Sequence, residues 1–196
     1  MIRVLLSKGR IADNFLDTLV EKNVIDKKPN IGRLLKFRIL NMDMMLVRSS
    51  DISTLLDTNS GDIAIVGSDV IEEKYNNRYP ELYDFNEEKC KFVLAGLPET
   101  DIESVRVIAT KYPNISKRYL ESMKKKCEII KMNGCLELYP NIGLCDAIID
   151  IVESGRTLDE NGLIILKRFE QISTRIITTK EKESDKEIKK LINKLR

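Results

Sequence analysis

A chain of 196 residues, 42% of them hydrophobic, can bury a sizeable core as one domain or two small lobes. Charged residues make up 33%, yet the net charge is only +2, and Lys and Arg are interspersed with Asp and Glu, which argues against a nucleic-acid binder. No apolar run is long enough to span a membrane, and Ile2 to Leu6 is far too short for an export signal, so a cytoplasmic protein is expected.

Ile2 to Leu6 reads as a buried strand, and Ile11, Phe15, Leu16, Leu19 and Val20 follow at helical spacing. Between them Ser7-Lys8-Gly9-Arg10 places two cations and a glycine at a strand's carboxyl end, a weak anion-site signal that matches neither a dinucleotide fingerprint nor a Walker A loop. Asn30 to Leu40 carries Arg33, Lys36 and Arg38, and Met44 to Val47 reads as a strand. Ser50 or Asp51 is expected to cap a helix over Ile52 to Leu56. Ile63 to Val66 is a continuous apolar run, typical of a strand covered on both faces, and Val70 to Lys74 reads as one more helical turn. This alternation predicts an α/β fold with a parallel sheet.

Tyr75 to Glu88 is polar and reads as a surface connection, and Lys91 to Ala95 as a strand. A second α/β unit runs from the strand at Val105 to Thr110, through a helix over Ile115 to Lys126, to a strand over Cys127 to Met132. Asn133-Gly134 signals a hairpin or turn before Leu136 to Tyr139. Leu163 to Thr179 predicts one long or two short strands, and Ser184 to Arg196 a lysine-rich helix with Ile188, Leu191, Ile192 and Leu195 on one side. The break near Cys90 predicts two lobes with a crevice between them.

Asp146 to Gly162 holds the densest chemistry. Ala147, Ile148, Ile151 and Val152 fit helical spacing, which would set Asp146, Asp150 and Glu153 along one helix face. Ser154-Gly155 then breaks the helix, and Thr157 with Glu160 has the spacing of a capping box for a new one. Exposed N–H groups at that helix start, with Arg156 beside them, suit a phosphate. Carboxylates followed by a phosphate nest suggest a phosphorylated sugar as ligand. Other chemistries are narrowed by composition. Cys90, Cys127, Cys135 and Cys145 lack CxxC spacing, so a zinc or iron–sulfur site is not expected, and the absence of histidine removes Ser–His and Cys–His catalysis.

Glu137, Gly143, Asp146, Asp150 and Ser154-Gly155-Arg156-Thr157-Leu158, at this spacing, resemble the signature of the ATP phosphoribosyltransferases, which open histidine biosynthesis. Ser7-Lys8-Gly9-Arg10, Arg48-Ser49-Ser50-Asp51, the run Gly61 to Asp69 and Ala109-Thr110-Lys111-Tyr112-Pro113 are similar to further landmarks of that family, in order over residues 1 to about 179. Ser49 stands where the family pattern has proline, and Ser7 where it often does.

The resemblance implies a two-lobed, periplasmic-binding-protein-like (type II) fold with the active site in the inter-lobe cleft. Lobe I is expected over 1–89 plus about 175–196, and lobe II, carrying the phosphoribosyl pyrophosphate loop, over 90–174. It further implies transfer of the 5-phosphoribosyl group of phosphoribosyl pyrophosphate to N1 of ATP, with pyrophosphate as leaving group. Positioning and electrostatics, with Mg²⁺ on the pyrophosphate rather than on a direct protein metal site, would carry that reaction. For phosphoribosyl pyrophosphate the resemblance points to Glu137, Asp150, Glu153, Ser154, Gly155, Arg156 and Thr157, with Asp146 as a further carboxylate. Lys8, Gly9 and Arg10 are expected at the ATP triphosphate, and Arg10, Arg33 and Arg48 are the catalytic cations. The chain is too short for the regulatory domain of the family's long members, so the short form is expected: a homodimer within a hetero-oligomer with a histidyl-tRNA synthetase-like regulatory subunit.

Two other readings are open on the residues alone. A non-catalytic ligand-binding module could use the same fold, though a solute receptor would need an export signal and an effector domain a fused DNA-binding motif. A phosphoribosyltransferase acting on another base usually carries two adjacent acidic residues before its phosphate loop, whereas Asp150 is followed by Ile151.

Overall fold

The computed structural model describes residues 1–75, 78–86 and 90–196. In chain order the elements are β1 (Ile2–Ser7), α1 (Arg10–Glu21), β2 (Lys36–Ile39), β3 (Met42–Val47), α2 (Ile52–Asp57), β4 (Ile63–Gly67) and the short α3 (Ser68–Val70). Next come β5 (Glu81–Asp84), β6 (Cys90–Gly96), β7 (Val107–Thr110), α4 (Pro113–Ser122), β8 (Glu128–Lys131) and α5 (Leu138–Asn141). The chain finishes with β9 (Ala147–Val152), α6 (Arg156–Glu160), β10 (Ile164–Ile172), β11 (Thr174–Thr178) and α7 (Lys186–Leu195). Two compact units result: Met1–Asn86 with Ser173–Arg196, and Glu87–Ile172.

The first unit is built on a six-stranded sheet in the order β2-β3-β1-β4-β11-β5. Its centre is parallel, with β1 between β3 and β4, while β2, β11 and β5 run antiparallel to their neighbours. The expected parallel sheet is therefore a mixed one. Strand alternation sorts the core. Val4, Leu6, Ile63, Ile65 and Ile176 face α1 and α7, meeting Phe15, Leu16, Leu19, Ile188 and Leu195. Leu5, Ala64, Val66 and Ile177 face the other way, onto Ile52, Leu56, Ile71, Tyr75 and Tyr79. All four apolar residues expected on the inner side of the last helix are buried.

Part of the supposed surface connection is likewise core. Tyr75 and Tyr79 are buried, with rings edge to face at 5.5 Å, and Glu81–Asp84 pairs with β11. Asn76, Asn77 and 87–89 lie outside the described residues.

The second unit has a five-stranded sheet in the order β10-β6-β9-β7-β8. β7, β8 and β9 are parallel, and β6 runs antiparallel to β9 and β10. Residues 147–152, expected as a helix, form the central strand. Ile149 faces Phe92, Leu94 and α4, whereas Ile148 faces Val93, Ala95, Ala109, Leu136 and Leu158. A strand buried on both faces reads as an unbroken apolar run, and such a run also satisfies helical spacing. The three carboxylates consequently share no helix face.

Asn133-Gly134 makes a bend rather than a hairpin, because β8 pairs in parallel with β7, and the next element is α5, not a strand. Leu163 to Thr179 resolves into two strands in different sheets. Neither Ser50 nor Asp51 caps α2 through its side chain; the Ser50 hydroxyl donates to Asp51 instead.

Asp62 ties together three strands of the first unit. Its carboxylate accepts from the Arg3 backbone N–H and guanidinium, both at 2.8 Å, and lies 3.3 Å from Lys182 Nζ. Its carbonyl accepts from the Thr178 hydroxyl at 2.7 Å. Burial raises the Asp62 pKa, but the Arg3 hydrogen bonds and Lys182 outweigh it and hold the carboxyl at about 2, below its ordinary 3.8. A depressed folded-state pKa adds stability that is complete above the unfolded value and lost as pH falls toward the folded one. Asp62→Asn should lower the urea midpoint at pH 7, and its gap to wild type should close as pH falls from 3.8 toward 2. A gap unchanged over that range would contradict the pairing.

Candidate active site

Parallel strands deliver their carboxyl-end loops to one edge of a sheet, and open α/β sheets bind ligands there. In the first unit those strands are β1, β3 and β4. Gly9, at φ +87°, turns the chain from β1 into α1, a backbone conformation suited to glycine. Lys8, Arg10 and Arg48 are exposed beside these turns, and the Lys8 N–H donates to the Val47 carbonyl at 3.0 Å. The Ser7 and Ser49 hydroxyls meet at 2.5 Å, so the two departures from the family pattern are one contact between neighbouring loops. The Tyr75 hydroxyl donates to the Ser49 carbonyl at 2.6 Å, anchoring the Arg48 loop on the buried tyrosine pair. Arg33 is exposed ahead of β2; because Leu46 N–H bonds the Leu35 carbonyl, that segment leaves the sheet at the same carboxyl edge as Arg48.

In the second unit the edge is formed by the ends of β8, β7 and β9. Thr110, fully buried, organises it: its hydroxyl donates to the Ile149 carbonyl at 2.8 Å and accepts from Tyr112 N–H at 3.0 Å. Asp150 is half-buried near the end of β9 and accepts from Ile151 N–H at 2.8 Å. Burial, with the nearby Glu137 charge adding to it, pushes its carboxyl up to about 6, against a lowering by the Ile151 hydrogen bond and Lys111. Glu137 is half-buried at the start of α5, and Glu153 is exposed just past β9.

Asp146 sits at the opposite end of β9. Its carboxylate accepts from the Arg106 and Val107 N–H groups, both at 2.8 Å, and so fixes the start of β7. That role is structural.

The turn after β9 also differs from expectation. Gly155, at φ +85°, precedes a helix that begins at Arg156, so Thr157 is inside α6 and makes no capping box. Glu160 instead ion-pairs with Arg156 at 2.8 Å, one turn away, with both side chains exposed. The first intrahelical bond runs from Asp159 N–H to the Gly155 carbonyl at 3.1 Å, so the amides of Arg156, Thr157 and Leu158 precede the ladder. The Arg156 amide donates to the Ser154 hydroxyl at 3.4 Å, a long hydrogen bond. An anion at this turn would meet those donors and could draw Arg156 from Glu160.

A family model described as "HisG: ATP phosphoribosyltransferase" matches residues 48–196. An ATP phosphoribosyltransferase of Clostridium novyi is 39% identical over 97% of this chain and 94% of its own length. One from Bacillus cereus is also 39% identical, over 98% and 94%. The chain belongs to the ATP phosphoribosyltransferase family. It is thereby a pentosyltransferase that moves the 5-phosphoribosyl group of phosphoribosyl pyrophosphate to N1 of ATP, the first step of histidine biosynthesis.

The solved structure of the ATP phosphoribosyl transferase (HisG:HisZ) complex from Thermotoga maritima includes a similar chain. The TM-score is 0.80 at 31% identity, covering 100% of this chain and 96% of that one. The periplasmic VFT2 domain of Bordetella pertussis BvgS, at TM-score 0.59 and 12% identity over 100% and 93% of the two chains, shows a likeness of fold alone. The architecture is the expected periplasmic-binding-protein-like one.

Sequence reasoning gave no role to Thr110 and Lys111, which stand only within the fourth landmark, or to Tyr75, read as part of a surface connection. Among the described residues no group of three or more His, Cys, Asp or Glu side chains is gathered that could hold a metal ion.

The raised Asp150 pKa implies a cost. A carboxyl whose folded-state pKa lies above its unfolded value contributes stability below the unfolded pKa that is lost as pH rises through the folded one. For a shift from 3.8 to about 6, the loss at neutral pH is about 2–3 kcal/mol. Asp150→Asn, which keeps the acceptor for Ile151, should therefore melt higher than wild type at pH 7, with the difference gone below pH 3.8. A variant less stable at both pH values would contradict this reading.

Proposed function

We propose that the two carboxyl edges divide the substrates of the family reaction. The turn from Ser154 to Thr157 takes the 5′-phosphate of phosphoribosyl pyrophosphate through its backbone N–H groups and the Ser154 and Thr157 hydroxyls. Asp150 accepts from the ribose hydroxyls, with Glu137, whose charge reaches Asp150, and Glu153, just past β9, sharing that role. Lys8, Gly9 and Arg10 meet the ATP triphosphate, and Arg10, Arg33 and Arg48 stabilise the departing pyrophosphate. The observation that carries the reading is Asp150: an incompletely compensated carboxylate held at a sheet's carboxyl edge, beside a turn with undercommitted amides.

The displacement at C1 of the ribose builds positive charge on the sugar and negative charge on the leaving group. Positioned opposite charges suffice for it, with no side-chain proton shuttle, in keeping with a chain that contains no histidine. Magnesium bound to the substrate, rather than to protein side chains, would neutralise charge on the pyrophosphate. The resemblance to a chain from a HisG:HisZ complex, matched along nearly its whole length, supports a hetero-oligomer with a regulatory subunit; that the short form is a homodimer and its partner histidyl-tRNA synthetase-like is what the family resemblance implies. ATP and phosphoribosyl pyrophosphate as substrates support a cytoplasmic location.

Mixing the protein with ATP, phosphoribosyl pyrophosphate and Mg²⁺, with and without that partner, should give the absorbance of the N1 adduct. Asp150→Ala and Arg156→Ala should remain folded and lose about 100-fold or more in kcat. Arg10→Ala and Arg48→Ala should lower kcat more than they raise KM for ATP, as expected for contacts made mainly in the transition state. Near-wild-type activity of Asp150→Ala at saturating substrate would overturn the assignment. No adduct under either condition would favour a non-catalytic binding module.

A further inference from the structure

The Ser7 and Ser49 hydroxyls have no part in the substrate contacts above, yet they join the two loops that carry the cations of the first unit. Ser7 ends β1 in register with Val47, the last residue of the parallel β3, and is only 2% exposed. Lys8 comes next and opens the turn into α1. Past β3 the order is Arg48 and then Ser49, which is half-buried. Lys8, Arg10 and Arg48 remain exposed on the two sides of the serine contact.

That contact sits in a small network. The two hydroxyls meet at 2.5 Å although they are 42 residues apart, so no local turn dictates their approach. The Lys8 N–H donates to the Val47 carbonyl at 3.0 Å, and the Asp51 N–H closes the Arg48 turn on the Arg48 carbonyl at 2.9 Å. Side chains alternate along a strand, which puts Ser7 on the same face as Leu5, a member of the cluster that holds Ile52 and Tyr75. From that cluster the Tyr75 hydroxyl donates to the Ser49 carbonyl at 2.6 Å. Ser49 is thus held through its carbonyl by Tyr75 and through its hydroxyl by the end of β1.

Cations on neighbouring loops repel one another, and an ion pair that drew the loops together would consume one of the charges. Two neutral hydroxyls restrain the loops and leave the cationic charge in place for an anion. Charges positioned beforehand stabilise developing negative charge with no reorganisation at the moment of reaction.

We propose that Ser7 and Ser49 are positioning residues, a hydroxyl clamp that fixes the Lys8 to Arg10 turn against the Arg48 turn before a phosphate chain arrives. The proposal rests on the assignment of Lys8, Arg10 and Arg48 above and deepens it, because the clamp exists without substrate.

The test uses the full chain as wild type, Ser7→Ala, Ser49→Ala, the double variant and Ser49→Thr, which keeps a hydroxyl. Amide hydrogen exchange of the unliganded protein comes first. Ser49→Ala should speed exchange of the Lys8 amide, and Ser7→Ala that of the Asp51 amide, each by roughly fivefold, the size of one neutral hydrogen bond. Kinetics follow. Each alanine variant should lose roughly fivefold in kcat with a smaller change in KM for ATP, the double variant should be no worse than either, and Ser49→Thr should stay near wild type. Faster exchange confined to the substituted loop overturns the clamp. An unmoved kcat, or losses that multiply in the double variant, overturns the positioning role. Absence of any adduct from wild type would instead sink the functional reading, while exchange still decides whether the clamp exists.

Discussion

A single carboxylate near the end of a doubly buried strand is the constraint on which the site depends. Ile148 and Ile149 are fully buried on opposite faces of β9, which fixes the strand in the middle of its sheet. Asp150 follows immediately, with no freedom to swing out into water as a loop residue could. Its charge is disfavoured by burial and by Glu137, and the fold accepts that cost. The Ser154 to Thr157 turn follows this strand end, and the Glu137 charge reaches it. Stability surrendered at one position for a poised charge is a common feature of sites that work by electrostatics.

The opposite ends of both sheets show what carboxylates do when they serve structure alone. Asp62 is saturated by Arg3, with Lys182 at hand, and is driven down to about 2. Asp146 is consumed by the amides of Arg106 and Val107. Asp146, just before β9, and Asp150, within it, are four residues apart, yet one is a staple and the other is held with its charge incompletely compensated. Spacing could not separate them, because partners supplied by β7 decide the difference.

Much of the fold was legible, since strands covered on both faces and an amphipathic final helix leave strong patterns. The failures share a cause. Residues 147–152 fit helical spacing, but Ile148, Ile149, Ile151 and Val152 are β-branched, and that composition was the better guide to a central strand. Tyr75 and Tyr79 looked like members of a polar connection because their burial depends on α2 and on strands far away in sequence. The supposed capping box at Thr157 and Glu160 lost to a left-handed glycine one step earlier, which started the helix at Arg156 and gave Glu160 an arginine partner. The structure sets Asp150 and the Ser154 to Thr157 turn toward one end of β9 and Asp146 at the other, so the carboxylates that spacing grouped together are separated. Loop residues between anchored elements keep their chemistry whichever element precedes them.

The central claim is that the turn after β9 is the phosphate seat of the phosphoribosyl substrate. Amide ¹H–¹⁵N shifts recorded while phosphoribosyl pyrophosphate with Mg²⁺ is added to the unliganded protein test it most directly. The account predicts saturable shifts concentrated at Gly155, Arg156, Thr157 and Leu158, accompanied by movement of the Arg156 side-chain Nε–H signal as it exchanges Glu160 for phosphate. Saturable shifts that leave those four amides and that side chain unmoved would contradict it.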